Sequence, residues 1–191
     1  MGAETILVVD DDEDILDLIE RHLSNRGYEV LTAYDGEQAI SLLDKLMFDL
    51  VITDLKMPKF DGMEVLKKAK EKDPNIEVVI LTGHGTMDNV VEALRDGGAF
   101  DYLQKPLHNI KQLSFVTKKA LERKRLRLEN QKLVEALNEI NSRLREKLTR
   151  VSKDLTGVVH LISSSSDNEI KNTVIPVLDA LISVLKSEEK D

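Results

Sequence analysis

Short apolar runs alternate with segments of helical period over the first half of the chain. The apolar runs predict strands at residues 6–10, 29–34, 50–54, 78–82 and 100–104. Helical spacing follows in two of the intervening segments, at Ile15, Leu18, Ile19 and Leu23 and again at Met87, Val90, Val91 and Leu94. Alternating strands and helices are typical of βαβ units. The pattern therefore predicts an α/β domain with a five-stranded, doubly wound parallel sheet.

Polar and charged residues stand at the carboxyl ends of four predicted strands. They are Asp10, Asp11 and Asp12 after the first, Asp54 after the third, Thr82 after the fourth, and Lys105 with Pro106 after the fifth. Singly, each has a plain structural explanation: a helix cap, a turn residue, a β-forming residue or a solvated lysine. Ligands of doubly wound sheets bind beyond these strand ends, so together the residues predict one functional edge.

Composition narrows the class of protein. The chain has 191 residues, a formal net charge of −8 and no cysteine. The length suits one ordinary domain with an appendage, and the negative charge disfavours nucleic acid as the main partner. Without cysteine there are no disulfides or thiolate metal sites. Because no secretory signal and no apolar run of about 20 residues is present, we expect a cytoplasmic protein without a membrane partner.

Four motifs occur in order along the first half: ILVVDDDEDI, DLVITDLKMPKFDGMEVL, VVILTGHGT and GAFDYLQKPL. In order and spacing they resemble the receiver domain of bacterial two-component response regulators, over about residues 4–120. The resemblance implies a flavodoxin-like sheet of order 2-1-3-4-5. It also implies a signalling protein, not an enzyme with an external substrate, that receives a phosphoryl group from a sensor histidine kinase.

The resemblance assigns roles to the acidic residues. Asp54 would be the phosphoacceptor, since a carboxylate can attack a phosphoryl group and form an aspartyl phosphate. Mg²⁺ would be bound by Asp11 and Asp54 directly, by Asp10 directly or through water, and by the backbone carbonyl of Lys56. Asp12 lies one residue beyond the acidic pair, so we expect it to cap the first helix.

The resemblance also implies a conformational switch. Lys105 would pair with the phosphoryl oxygens, and Thr82 would donate a hydrogen bond to them. Movement of Thr82 would leave space for Tyr102 to turn inward, which would alter the surface formed by the fourth helix, fifth strand and fifth helix of the fold. We expect the peptide bond before Pro106 to be cis, and we interpret His84 as a loop residue that tunes dephosphorylation.

The alternative function is that of a Mg²⁺-dependent phosphatase with an aspartate nucleophile on a related fold. Such an enzyme would need a second carboxylate, as general acid, two residues after its nucleophile. This chain has Lys56 there, and it has no segment large enough to form a cap over a substrate. Both features favour the receiver.

The second half predicts a coiled coil. Leu126, Asn130, Leu133, Leu137, Ile140 and Leu144 are spaced alternately four and three residues apart, as in an a/d seam. The series continues to Ile162 after one stutter. Asparagine at an a position pairs best with its own copy, so Asn130 favours a parallel homodimer. The expected organisation is a receiver at 1–120, a coiled-coil helix at 121–162 and a C-terminal helical segment at 163–191.

The remaining features of this half concern its output. The basic stretch 118–127 is compatible with nucleic acid, but the acidic total favours a solvated helix face. Ser166 and Glu169 have the form of a capping box that starts a last helix, which Pro176 should kink or divide. His160 matches no phosphotransfer motif, and we interpret it as an exposed helical residue. These features predict output through an unknown downstream protein.

Overall fold

The computed structural model describes residues 3–83, 94–95, 98–107, 109–164 and 168–188. Its strands are β1 (Thr5–Val9), β2 (Glu29–Ala33), β3 (Leu50–Asp54), β4 (Glu77–Thr82) and β5 (Asp101–Gln104). Its helices are α1 (Glu13–Ser24), α2 (Gly36–Lys45), α3 (Gly62–Lys72), a long helix (Ile110–Ser163) and a C-terminal helix (Asn168–Glu188). Two compact units divide the chain, Met1–Glu129 and Asn130–Asp191. The domain boundaries drawn from sequence at 120 and 162 stay a prediction.

The five strands of the first unit form one parallel sheet in the order β2-β1-β3-β4-β5. This confirms the predicted fold class. Observed and predicted strands differ by at most one residue at either end. Of the second predicted helical segment, Met87, Val90 and Val91 lie outside the described residues, as does His84.

Both faces of the sheet are covered, which explains why its central strands read as continuous apolar runs. Side chains alternate across a strand, so Leu7 and Ile6 belong to different cores. One core combines Leu7, Val9 and Val51 with side chains of α2 and α3. The other combines Ile6, Val8 and Ile52 with Ile19 and Leu23 of α1 and Leu113 and Val116 of the long helix.

Each of the first three helices begins after an aspartate. Asp12 caps α1, where its carboxylate accepts hydrogen bonds from the backbone N–H groups of Asp14 (3.0 Å) and Ile15 (3.4 Å). Asp35 and Asp61 cap α2 and α3 in the same manner. The cap predicted at Asp12 is confirmed, and the caps turn the chain from the strand ends into the helices.

The basic stretch on the long helix is not simply a solvated face. Lys124 is 7% exposed, and its ammonium lies 3.0 Å from Asp49 Oδ1 and 3.2 Å from Asp73 Oδ2. It also donates to the backbone carbonyl of Phe48 at 3.0 Å. We call these four residues the helix anchor. The solvated-face interpretation is wrong for Lys124, because the helix passes close enough to the amino-terminal edge of β3 and β4 to bury it between two carboxylates.

Two arginines of the same helix approach this edge. Arg123 Nε and Arg127 Nη1 each lie 3.6 Å from Oε1 of Glu77, which is fully buried at the start of β4. The guanidinium of Arg123 also lies 5.4 Å from the centre of the Phe100 ring. Arg123, Lys124 and Arg127 are therefore paired with carboxylates, whereas cations that bind nucleic acid would have to be free to contact phosphate.

The second unit contains the rest of the long helix and the C-terminal helix. Ser152 and Ile182 are buried, one on each helix. The C-terminal helix is continuous through Pro176, so the predicted division there is wrong; a kink stays a prediction. The proposed capping box lies outside the described side chains, although the helix does begin at Asn168. Within the described residues, no helix is long and apolar enough to cross a membrane.

Candidate functional site

The carboxyl ends of β1, β3, β4 and β5 bring the predicted polar residues to one edge of the sheet. Asp54 is the last residue of β3 and pairs in register with Leu81, next to Thr82 at the end of β4. Thr82 in turn pairs with Gln104, which precedes Lys105. Asp10 directly follows β1. Parallel strands thus place residues that are far apart in sequence side by side.

Three carboxylates cluster at this edge. Asp10, Asp11 and Asp54 each offer an oxygen atom, and these atoms all lie within 4.8 Å of one another. Asp10 is fully buried, Asp54 is 8% exposed and Asp11 is exposed. One oxygen of Asp10 accepts the N–H of Asp12 at 3.0 Å. The cluster is therefore rigid on the Asp10 side and open to solvent at Asp11.

Lys105 reaches into this cluster. Its Nζ lies 2.6 Å from Asp10 Oδ2 and 2.7 Å from Asp54 Oδ2. Its backbone N–H donates to the carbonyl of Thr82 at 2.7 Å, and the Lys105–Pro106 bond is cis, the isomer expected from sequence. The contact with Asp54 has hydrogen-bond geometry, whereas Asp10 Oδ2 has no hydrogen bond of good geometry.

Burial and charge act in opposite directions on these groups. Burial raises the pKa of the Asp10 carboxyl above its usual value, although Lys105 and the N–H of Asp12 oppose the shift. Burial lowers the pKa of the Lys105 ammonium, but its contacts with Asp10 and Asp54 outweigh burial and raise it overall. Lys105 is therefore a fixed positive charge at neutral pH.

The donor set fits a hard divalent cation. Its atoms are all carboxylate oxygens, the ligands that Mg²⁺ prefers. Asp10 Oδ2 is buried and makes no hydrogen bond of good geometry beyond its 2.6 Å ion pair with Lys105, so it keeps lone pairs that a divalent cation could use. Three carboxylates beside one ammonium leave two formal negative charges, which a divalent cation would neutralise. Asp10, Asp11 and Asp54 are the residues that could hold it.

Thr82 and Tyr102 lie next to the cluster on adjoining strands. Thr82 is 2% exposed and its hydroxyl donates to the carbonyl of Gly83 at 3.1 Å. Tyr102 pairs with Ile80 in the sheet and is half-buried, with its side chain packed against the core that α2 and α3 cover. Both residues therefore occupy the strands that the predicted switch requires.

The loop after β3 holds Lys56 and contains a residue that sequence reasoning missed. The N–H of Lys56 lies 3.4 Å from Asp54 Oδ1. Three residues later, Lys59 has a positive φ of 69°, and its ammonium bonds to Asp35 (3.0 Å) and Glu37 (2.6 Å) at the start of α2. These ion pairs tie the Lys56 loop to α2. The motif LKMPKFDG signals a turn, but not this partner.

Gly62 is a second missed residue. A Cβ atom at this position would lie 2.2 Å from the backbone oxygen of Asp54 and 2.9 Å from Cα of Leu55. Both contacts are with backbone, so no side-chain rotation could relieve them. Gly62 therefore permits α3 to start directly against the end of β3. In the sequence, the only indication of this role was that Gly62 directly follows Asp61 in the motif.

The predicted coiled-coil seam lies on the long helix. Its apolar residues remain 49–62% exposed within one chain, and Asn130 is exposed as well. They are Leu126, Leu133, Leu137, Ile140 and Leu144.

Comparison with known families gives a match to the response regulator receiver domain over residues 6–117. The transcriptional regulatory protein ZraR of Klebsiella oxytoca is 41% identical over 121 residues, 63% of this chain and 27% of that protein. The C4-dicarboxylate transport transcriptional regulatory protein DctD of Pseudomonas aeruginosa is 38% identical over 134 residues, 70% of this chain and 29% of that protein. The chain thus spans less than a third of these relatives.

Solved structures agree with the sequence relatives. A response regulator receiver domain protein from Clostridium thermocellum is 42% identical with a TM-score of 0.60, and the match covers 64% of this chain and 98% of that one. NtrX from Brucella abortus is 36% identical with a TM-score of 0.64, covering 69% of this chain and 29% of that one. The family match takes in every residue of the acidic cluster together with Lys105. The chain belongs to the response regulator receiver domain family.

Proposed function

We propose that Asp54 accepts a phosphoryl group from a sensor histidine kinase in a Mg²⁺-dependent reaction. The observation that carries the proposal is Lys105, whose ammonium bridges Asp54 and Asp10 at the rim of the sheet. A carboxylate oxygen of Asp54 would form the new bond to phosphorus while the bond from phosphorus to the donor imidazole breaks. The imidazole then takes up a proton.

Positive charge is what this transfer needs, because an anionic carboxylate must approach an anionic phosphoryl group. Mg²⁺ bound by Asp10, Asp11, Asp54 and the carbonyl of Lys56 would neutralise phosphoryl oxygens. Lys105 contributes a second, permanent charge and orients the Asp54 carboxylate through its 2.7 Å contact.

The carboxylate that a phosphatase would use as general acid is missing. Position 56 is lysine, and its N–H points to Asp54 at 3.4 Å. A lysine two residues after the nucleophile cannot protonate a leaving group as a carboxylic acid does. The receiver therefore explains the site better than the phosphatase.

Labelling tests the proposal directly. Incubation with acetyl phosphate and Mg²⁺ should add one phosphoryl group by intact-mass analysis, and omission of Mg²⁺ or Asp54→Asn should abolish it. Asp12→Asn is the matched control, because Asp12 is a neighbouring carboxylate that caps α1 and an asparagine retains that cap. Undiminished labelling of Asp54→Asn would refute the assignment.

Thr82, Lys105 and Tyr102 would convert phosphorylation into a change of shape as a population shift. Loss of the Lys105 contact would forfeit about 1.5–3 kcal/mol, enough to move a two-state balance roughly tenfold or more. Beryllofluoride mimics the aspartyl phosphate, so its NMR shifts over residues 84–110 should shrink in Lys105→Ala and Thr82→Ala. Shifts equal to those of the wild type would contradict the coupling.

Output is proposed to run through protein contacts of a parallel homodimer. The seam from Leu126 to Leu144 is exposed in one chain, and Asn130 would fix its register. Light scattering should find a full-length dimer with or without phosphate. A shortened chain ending at Glu129 retains Lys124 and should be monomeric; equal dimerisation of this chain would rule the seam out. The downstream protein is a further, unidentified partner.

A further inference from the structure

The second unit contains two helices that bury one side each. On the long helix the buried or half-buried side is formed by Leu148, Ser152, Leu155 and Val159. On the C-terminal helix it is formed by Val174, Leu178, Ile182 and Leu185. Only four residues separate the helices. These two helices are the described elements of one compact unit, so the pattern indicates an antiparallel hairpin.

Each helix of this hairpin also carries a second apolar row, which no described part of the chain covers. Val151 and Val158 of the long helix are 47% and 43% exposed. At 3.6 residues per turn they lie about 80° around the helix from its buried side. Val177, Leu181 and Val184 of the C-terminal helix are 67%, 46% and 57% exposed. They lie about 90° from theirs, in the same rotational sense.

The rotational sense decides where the two rows meet. The two helices of an antiparallel pair are related by a two-fold axis perpendicular to both. This axis preserves the sense of rotation measured from the N- to the C-terminus of each helix. Equal rotations away from the two buried sides therefore lead to the same side of the pair. Both exposed rows therefore lie on one face of the hairpin. The opposite face carries polar residues such as Thr149, Lys153, Asp179 and Ser183. Such a hairpin is half of a four-helix bundle.

The exposed stripe continues along the long helix beyond the hairpin. The C-terminal helix has 21 residues, so it can cover an antiparallel neighbour only back to about residue 143. Leu133, Leu137 and Ile140 lie upstream of that limit. With Leu144 they point about 60° from the buried side in the same sense. That direction falls between the C-terminal helix and the exposed face, towards the centre that a bundle would have.

We propose that the hairpins of two copies pack through these faces as a four-helix bundle, coaxial with the stalk from Leu126 to Leu144. A second copy is the occupant that meets every requirement, since it offers one helix to the upstream seam and two helices to the hairpin. A single two-fold axis parallel to the long helices would place the second copy over the whole exposed stripe. The inference rests on the proposed homodimer and adds its distal interface.

Charge placed on the exposed row tests the bundle in the full chain. Val177→Lys/Leu181→Lys/Val184→Lys should raise the dimer dissociation constant at least roughly 100-fold by light scattering, because each site loses apolar burial in both copies. Asp179→Lys/Ser183→Lys adds charge to the opposite face of the same helix and should leave the constant unchanged. Equal constants for the first variant and the wild type would overturn the bundle.

Disulfide trapping keeps the test informative if that variant unfolds. The chain has no cysteine, so each introduced thiol is unique. Full-length Val151→Cys and Leu181→Cys, which lie at the same level of the hairpin, should form a covalent heterodimer when mixed and oxidised, since the long helix of one copy borders the C-terminal helix of the other. Lys153→Cys with Asp179→Cys, which are equally level but lie on the polar faces, should not. Equal yields from both mixtures would overturn the proposal.

The outcomes separate this inference from the proposed function. If the wild-type chain is a monomer at micromolar concentration, both the stalk and the bundle are refuted, whereas the proposal that Asp54 is labelled is unaffected. A dimer insensitive to the hairpin variants would sink the bundle alone, and a different protein would then be the occupant of the exposed face.

Discussion

Removal of the Lys124 ammonium should destabilise the receiver fold far more than the place of Lys124 in a basic run of the sequence implies. Lys124→Met keeps the apolar stem of the side chain and deletes its charge. The ammonium holds Asp49 at 3.0 Å, Asp73 at 3.2 Å and the carbonyl of Phe48 at 3.0 Å while 7% exposed. Its loss leaves those groups without their cation.

The size of the stability loss depends on how well water can replace the Lys124 ammonium at each of its partners. Breaking a fully buried ion pair costs about 3–5 kcal/mol. The Asp49 and Asp73 side chains are 36% and 17% exposed, so solvent replaces part of the lost interaction. The Phe48 carbonyl loses a charged hydrogen bond of about 1.5–3 kcal/mol. We therefore expect the free energy of unfolding to fall by about 2–3 kcal/mol.

Tyrosine fluorescence during urea unfolding measures this change selectively. The chain has no tryptophan, and Tyr28, Tyr34 and Tyr102 all lie in the first unit. Lys119→Met is the matched control, because Lys119 lies on the same helix in an exposed pair with Glu122; such pairs contribute about 0–1 kcal/mol. If both variants unfold at the same urea concentration, Lys124 does not anchor the helix.

Two further perturbations probe the surroundings of the site. Asp35→Asn retains the α2 cap but loses the Lys59 ion pair. The Gln38 N–H and Lys59 lower the pKa of Asp35 below its usual 3.8, so this contribution to stability exists above that value and fades as pH falls through the lowered pKa. The variant should be less stable than wild type at pH 7, with a difference that shrinks towards pH 3; a constant difference would contradict this. Gly62→Ala should lower stability by about 1–3 kcal/mol and impair labelling of Asp54, because the added Cβ meets backbone at 2.2 Å. Gly157→Ala, in open space on a helix, should instead stabilise by about 0.5–1 kcal/mol, and equal effects of the two would refute the steric argument.

The sheet and its rim could be predicted because they depend on local periodicity and one topological rule. Runs such as Leu50–Asp54 identify themselves through continuous apolar residues, and parallel strands bring their carboxyl ends together whatever lies between them. Roles within the rim came from the resemblance. The bridging position of Lys105 between Asp10 and Asp54 follows from the backbone geometry, which a sequence does not specify.

The helix anchor could not be predicted, because its members have no fixed spacing. Asp49, Asp73 and Lys124 are distant in sequence, and each has an ordinary local explanation, as a loop residue, a helix C-terminal cap and a helix surface charge. Tertiary packing alone decides that they meet. The same holds for Lys59, whose partners lie in the preceding βα loop and helix. Ion pairs between helices, strands and loops are therefore the part of the fold that the spacing of residues in the sequence does not predict.

Strands β3 and β4 connect the two charged regions of the receiver. Asp54 and Thr82 end these strands at the rim, whereas Asp49 and Glu77 stand at their opposite ends, against the long helix. Each strand pairs with a neighbour on both sides, which resists sliding of one strand alone. A phosphoryl group at Asp54 would therefore act on the rim loops and leave the anchored helix in place. It follows that the stalk we propose should hold its two receivers together constitutively, and that phosphorylation should change which receiver surfaces are presented.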